Sequence, residues 1–146
     1  MDFAHAVGIA ARVYGATRDA SDSLFLAHSM DVARALGATA GPTALNTAVL
    51  HGIAEDTEWT VEHLLELGVD AVVCEAVDLL TRRGGEAYTS YVRRVCDASG
   101  VAGETARLVM VADLKVSVAR TDSDALRGRY ESSLPLIQSA LATPVA

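Results

Sequence analysis

The segment His51-Gly52-Ile53-Ala54-Glu55-Asp56-Thr57 sets a histidine and two carboxylates inside an otherwise apolar run. Read as helix, His51 and Glu55 share a face one turn apart, and Asp56 lies beside Glu55, rotated by about 100°. Leu45, Ala48 and Val49 form the core-facing stripe just upstream. His51 and Glu55 therefore point at, or border, the interior, where polar groups are costly unless partnered. Two further polar residues interrupt apolar helical surfaces. His28 lies between Phe25 and Val32, and Asp113 sits in the middle of Leu108, Val109, Val111, Ala112 and Val116. Two imidazoles and one carboxylate from three helices make a ligand set for Mn, Fe or Zn, with open positions for water or substrate. Each also has a plainer explanation. A lone helical histidine is more often a satisfied core residue, and Asp113 beside Lys115 also reads as a boundary carboxylate.

The elements that must position these side chains read as helices throughout. The spacing of Val7, Ala10, Ala11 and Tyr14 predicts a first helix over 2–14, stopped by Gly15. Residues 16–23, which include Arg18, form a polar loop. A second helix runs from about 24 to 36 and ends at Gly37. Gly41-Pro42 opens the helix of the His51 segment, with proline where the first turn tolerates it. Thr60 caps a short helix that ends at Gly68. Helices follow over 69–81 and 87–99, separated by Arg82-Arg83-Gly84-Gly85-Glu86. Gly100 and Gly103 bound the next turn, then a long helix covers 104–120. The last helix runs from about 124 to 141, and Pro135 should kink or split it. No stretch alternates with period two, so the class is all-α. The 146 residues suit one domain, 1–146, with the Pro135-containing helix as an appendage.

Composition narrows the function classes. Hydrophobic residues reach 51% while aromatics are 5%, which suits helices packed closely through alanine and valine. The net charge of −7 argues against general nucleic-acid binding. A few local arginines can still hold a small phosphorylated ligand. No apolar run reaches the roughly 20 residues that span a bilayer. Met1-Asp2-Phe3-Ala4-His5 lacks the basic start of a secretory signal, so the cytoplasm is expected. Cys74 and Cys96 lack metal-ligand spacing and are expected as free thiols. An Ala/Val-rich helix surface would suit a homodimer.

Order and spacing together resemble the HD-domain phosphohydrolase superfamily, specifically small members related to the (p)ppGpp hydrolase domain of RelA/SpoT-type alarmone enzymes. Phe25-Leu26-Ala27-His28 looks like that family's Tyr-Ile-x-His segment. Leu50 to Thr57 looks like Leu-His-Asp-x-x-Glu-Asp-Thr, and Val111-Ala112-Asp113-Leu114 like the late Leu-Ala-Asp segment. Asp78 to Arg83, with Tyr88 and Tyr91 to Arg94, is similar to the connecting region. The likeness spans about residues 24–120 and implies an HD-type helical bundle. It implies His28, His51 and Asp113 as metal ligands for a divalent ion, and Glu55 and Asp56 as the pair tied to water attack at phosphorus. It also implies a substrate-binding arginine near Arg18. Arg82 or Arg83 would join Arg18 in clamping phosphate oxygens, although arginine pairs are more often solvated helix ends.

Three positions depart from the pattern: Gly52 where Asp is expected, Met110 where Lys is usual, and Ser117 where Asn is usual. All fall at the expected site. Glycine within a helix costs about 1 kcal/mol relative to alanine. Either room was wanted at position 52, or a neighbouring group packs tightly there. Metal binding is expected to be weakened. Three functions follow from these readings: metal-dependent hydrolysis of a nucleotide phosphate or pyrophosphate, a binding module that has lost its chemistry, or a metal-independent enzyme using Glu55 or Asp56 as acid or base.

Overall fold

The computed structural model describes residues 1–15 and 24–142. Among them no β-strand occurs, as the periodicity predicts. The helices are α1 Phe3–Tyr14, α2 Phe25–Leu36, α3 Pro42–Leu50, α4 Ile53–Asp56, α5 Val61–Glu66, α6 Ala71–Leu79, α7 Tyr88–Asp97, α8 Gly100–Arg120 and α9 Asp124–Ala142. Local chemistry fixes their starts. Asp2 accepts a hydrogen bond from the His5 amide at 2.8 Å. Thr60 and His63 form a reciprocal capping box. Gly37 and Gly41, at φ 84° and 90°, turn the chain on either side of a short 3-10 segment before Pro42.

The long α8 is the axis of the bundle. Helices α2, α3 and α6 pack against it, α1 covers α3, and α9 runs along it while also touching α7. Ile9, Tyr14, Leu50, Ile53, Leu64 and Ile137 are fully buried. Between them lie buried alanines, including Ala6, Ala10, Ala48, Ala76 and Ala106, which let helix backbones approach closely. That packing is what an aliphatic, aromatic-poor composition makes available.

Three boundaries differ from the sequence reading. The helix expected to continue through the His51 segment breaks at His51-Gly52: α3 ends at Leu50 and α4 is a single turn. Glycine is the weakest ordinary helix former, and at φ −91°, ψ 0° it lets the chain tighten there. Second, Gly103 lies inside α8 and does not bound a turn, whereas Gly100, at φ 76°, opens the helix. Gly103 is needed where it stands, because a Cβ would overlap the Ala98 carbonyl. Third, α9 is continuous across Pro135. The carbonyl left without a partner belongs to Glu131, which is exposed and open to water. Along its length α9 buries Ser133 and Ile137 against the bundle.

Candidate functional site

His28 comes from the first turn of α2, His51 from the end of α3 and Asp113 from the middle of α8. Each helix buries its apolar face in the same core, so the three polar side chains converge where those faces meet. One donor atom from each lies within 4.8 Å of the others. His28 Nε2 is 2.7 Å from Asp113 Oδ1, and His51 Nε2 is 3.7 Å from the same oxygen. His51 Nδ1 donates to the Ala48 carbonyl at 2.6 Å. That bond leaves Nε2 directed at the cluster, an arrangement common among histidine ligands.

Burial and charge act against each other here. Burial opposes ionisation of Asp113, but the hydrogen bond from His28 and the nearby charge of His51 overcome it and hold its carboxyl well below the usual range. Burial likewise disfavours the His51 imidazolium, yet the Asp113 carboxylate and the Ala48 carbonyl raise its pKa to about 9. Asp56 reaches water at the cavity mouth. Desolvation on its protein side and the charge of Glu55 push its pKa up to about 6, against the pull of His51. Tyr14 is buried, and desolvation drives its phenol well above the ordinary value.

The cluster floors a cavity of about 420 Å³. Phe25, Tyr88, Tyr91 and Tyr130 supply aromatic wall, and Arg82, Arg120 and Arg129 supply positive charge. The Tyr88 ring carries two guanidiniums, Arg129 at 4.5 Å and Arg82 at 5.6 Å from its centroid. The arrangement combines a metal-capable floor with cationic groups that favour an anion.

Gly52, Met110 and Ser117 all line this cavity, so the three departures from the family pattern meet at one place. The space at Gly52 is taken. A Cβ there would meet Asp56 Oδ2 at 2.7 Å and the Tyr14 hydroxyl at 3.0 Å. Close approach of neighbouring groups, and not an opened pocket, is what the glycine accommodates.

Of the other sequence-derived site residues, Glu55 and Asp56 face the cavity. Glu55 Oε1 also accepts a hydrogen bond from the Arg82 amide, tying the end of α4 to the segment after α6. Arg82 lines the cavity, but Arg83 does not. The Arg83 guanidinium is held by Asp78, with Nη2 3.0 Å from Oδ2. Arg18 lies outside the described residues. Arg120 and Arg129 were missed by the sequence reading. Arg120 had a usable signal: Met110, Asp113, Ser117 and Arg120 recur at helical spacing on one face of α8. Arg129 and Tyr130 had none, because only the packing of α9 brings them to the cavity.

No family model matches the sequence, and no curated protein matches it. The backbone does have a counterpart among solved structures. It matches a metazoan ortholog of SpoT that hydrolyzes ppGpp and plays a role in starvation responses, with a TM-score of 0.75 and 20% identity. The match covers 99% of this chain and 87% of that chain. The shared feature is the fold, an all-α helical bundle.

Proposed function

We propose that the chain is a hydrolase of phosphate ester or pyrophosphate bonds in a small phosphorylated nucleotide, and that it acts with one divalent cation. The observation that carries this reading is the convergence of His28, His51 and Asp113 beneath a cavity bearing three arginines. The donor set fits a cation in residue type and in spacing, with His28, His51 and Asp113 as ligands. A bound Mn, Fe or Zn ion would activate water and offset charge at phosphorus. Asp56 takes the proton of the attacking water, since a carboxyl near 6 accepts it readily at neutral pH. Glu55, restrained by the Arg82 amide, orients that water and holds the wall that carries Arg82. Arg82 and Arg129 clamp phosphate oxygens beside the Tyr88 ring.

The substrate class extends by likeness of fold from the SpoT ortholog, so guanosine 3′,5′-bis(diphosphate) belongs in the first assay. Phosphate or pyrophosphate release from a nucleotide panel with added Mn²⁺ is the test. Turnover that D113N and D56N each abolish is the expected outcome, and no turnover of any panel member would sink the hydrolase. We place the protein in the cytoplasm, with no nucleic-acid or membrane partner; among the described residues no helix is long and apolar enough to cross a membrane.

Two observations favour a second reading, a binding module without chemistry. Arg120 engages His28 directly, and position 52 supplies no carboxylate. A nucleotide that raises the melting temperature without being consumed would select this reading.

A further inference from the structure

The two histidines of the cluster are held in opposite ways. The Ala48 carbonyl can only accept, so His51 carries its proton on Nδ1, and deprotonation leaves the Nε2 lone pair facing the cluster. His28 is reversed. Arg120 Nη1 lies 2.8 Å from His28 Nδ1, and a guanidinium can only donate. Nδ1 is therefore the acceptor, and the ring proton sits on Nε2, which donates to Asp113 Oδ1 at 2.7 Å. A ligating imidazole needs the opposite: a lone pair toward the cation and an acceptor behind the other nitrogen. With Nε2 turned to a cation, the His28 proton would sit on Nδ1, pointing at an Arg120 N–H.

We propose that Arg120 competes with a divalent cation for His28, holding the cluster in a hydrogen-bonded, cation-free form until the guanidinium is drawn away. The inference rests on reading His28, His51 and Asp113 as a cation site. Arg120 is the last residue of α8, and its side chain lines the cavity. An anionic oxygen entering the cavity offers it a charge-assisted bond stronger than the one to a neutral imidazole. Anion and cation therefore bind with positive coupling, and the coupling is reciprocal. In a hydrolase the coupling keeps the cation site unmade until a phosphate group arrives.

The experiment measures Mn²⁺ affinity by calorimetry, with and without sulfate as a weakly chelating anion, in the wild type, R120M and R120K. NMR of the imidazole nitrogens in the metal-free proteins reads the His28 tautomer. R120M removes the donor and keeps an apolar stem. It should bind Mn²⁺ about tenfold more tightly than wild type, the scale of an outer-shell effect. It should also shift His28 toward the Nδ1–H form and show no sulfate effect. R120K keeps a donor and should stay near wild type, and sulfate should tighten Mn²⁺ binding to both. Equal Mn²⁺ affinity in R120M and wild type overturns the competition and leaves the cation site standing. An Nδ1–H tautomer in the wild type overturns it without any variant. No Mn²⁺ binding by either protein at saturating concentration overturns the competition and the cation site together.

Discussion

Gly52 shows how one side chain's absence rearranges its neighbours. At φ −91°, ψ 0° an alanine fits the backbone, and the lower entropy of its unfolded chain favours the fold by about 0.4–1 kcal/mol. Its Cβ then meets Asp56 Oδ2 at 2.7 Å and the Tyr14 hydroxyl at 3.0 Å. The Asp56 carboxylate can swing outward, whereas the Tyr14 ring is locked in the core, stacked on Phe25 at 6.0 Å. Gly52→Ala should therefore change stability by less than about 1 kcal/mol in urea denaturation. It should also release Asp56, whose pKa falls from about 6 toward the ordinary carboxylate value in an NMR titration. Gly52→Asp adds a carboxylate beside Asp56 and Asp113, so repulsion should lower the melting temperature in chelator. Added Mn²⁺ should then raise it by more than in the wild type, as measured by calorimetry.

At the scale of elements, two joints hold the walls of the cavity. The first is the segment between α6 and α7. Arg94 from α7 reaches across it, donating to both Glu86 carboxylate oxygens at 2.9 and 3.0 Å and to the Leu79 and Thr81 carbonyls. The hydrogen bonds of Arg94, with the Arg83 amide, hold the Glu86 pKa at about 2 in the folded chain, against an ordinary 4.5. The unfolded chain binds this proton first as pH falls, so the stabilisation is present above 4.5 and is lost between 4.5 and about 2. The melting temperature of E86Q should lie below that of wild type at neutral pH, and the gap should close across that acid window. The second joint is the corner between α7 and α8. Arg107, buried in α8, donates to the Val95 and Cys96 carbonyls at the end of α7. The Ala98 carbonyl lies against Gly103. Gly103→Ala forces backbone apart and should cost about 1–3 kcal/mol in urea denaturation, more than any propensity gain returns.

For the whole molecule, the site exists because α2, α3, α4, α7, α8 and α9 all bring residues to one cavity. A chain of net charge −7 concentrates three arginines around that cavity. An anionic ligand should therefore bind with a salt-dependent affinity that falls as ionic strength rises. Arg129→Ala should weaken nucleotide binding by about tenfold, the loss of one charge-assisted contact, without lowering the melting temperature. Thermal-shift titration reads both. Arg129 is exposed, so its removal leaves the core intact.

Helical class, element order and the three polar residues on apolar faces were legible in the sequence, because 3.6-residue periodicity and Gly, Pro and Thr punctuation act locally. His28, His51 and Asp113 are separated by 23 and 62 residues along the chain. Only a common core, built from α2, α3 and α8, places their donor atoms within 4.8 Å. The tertiary structure alone decided three other features: the break at His51-Gly52, the occupation of the space at Gly52 by Asp56 and Tyr14, and the approach of Arg120 to His28. Propensity is a property of neighbours along the chain. Whether a glycine opens a pocket, or an arginine faces a histidine nitrogen, depends on which distant surfaces close against each other.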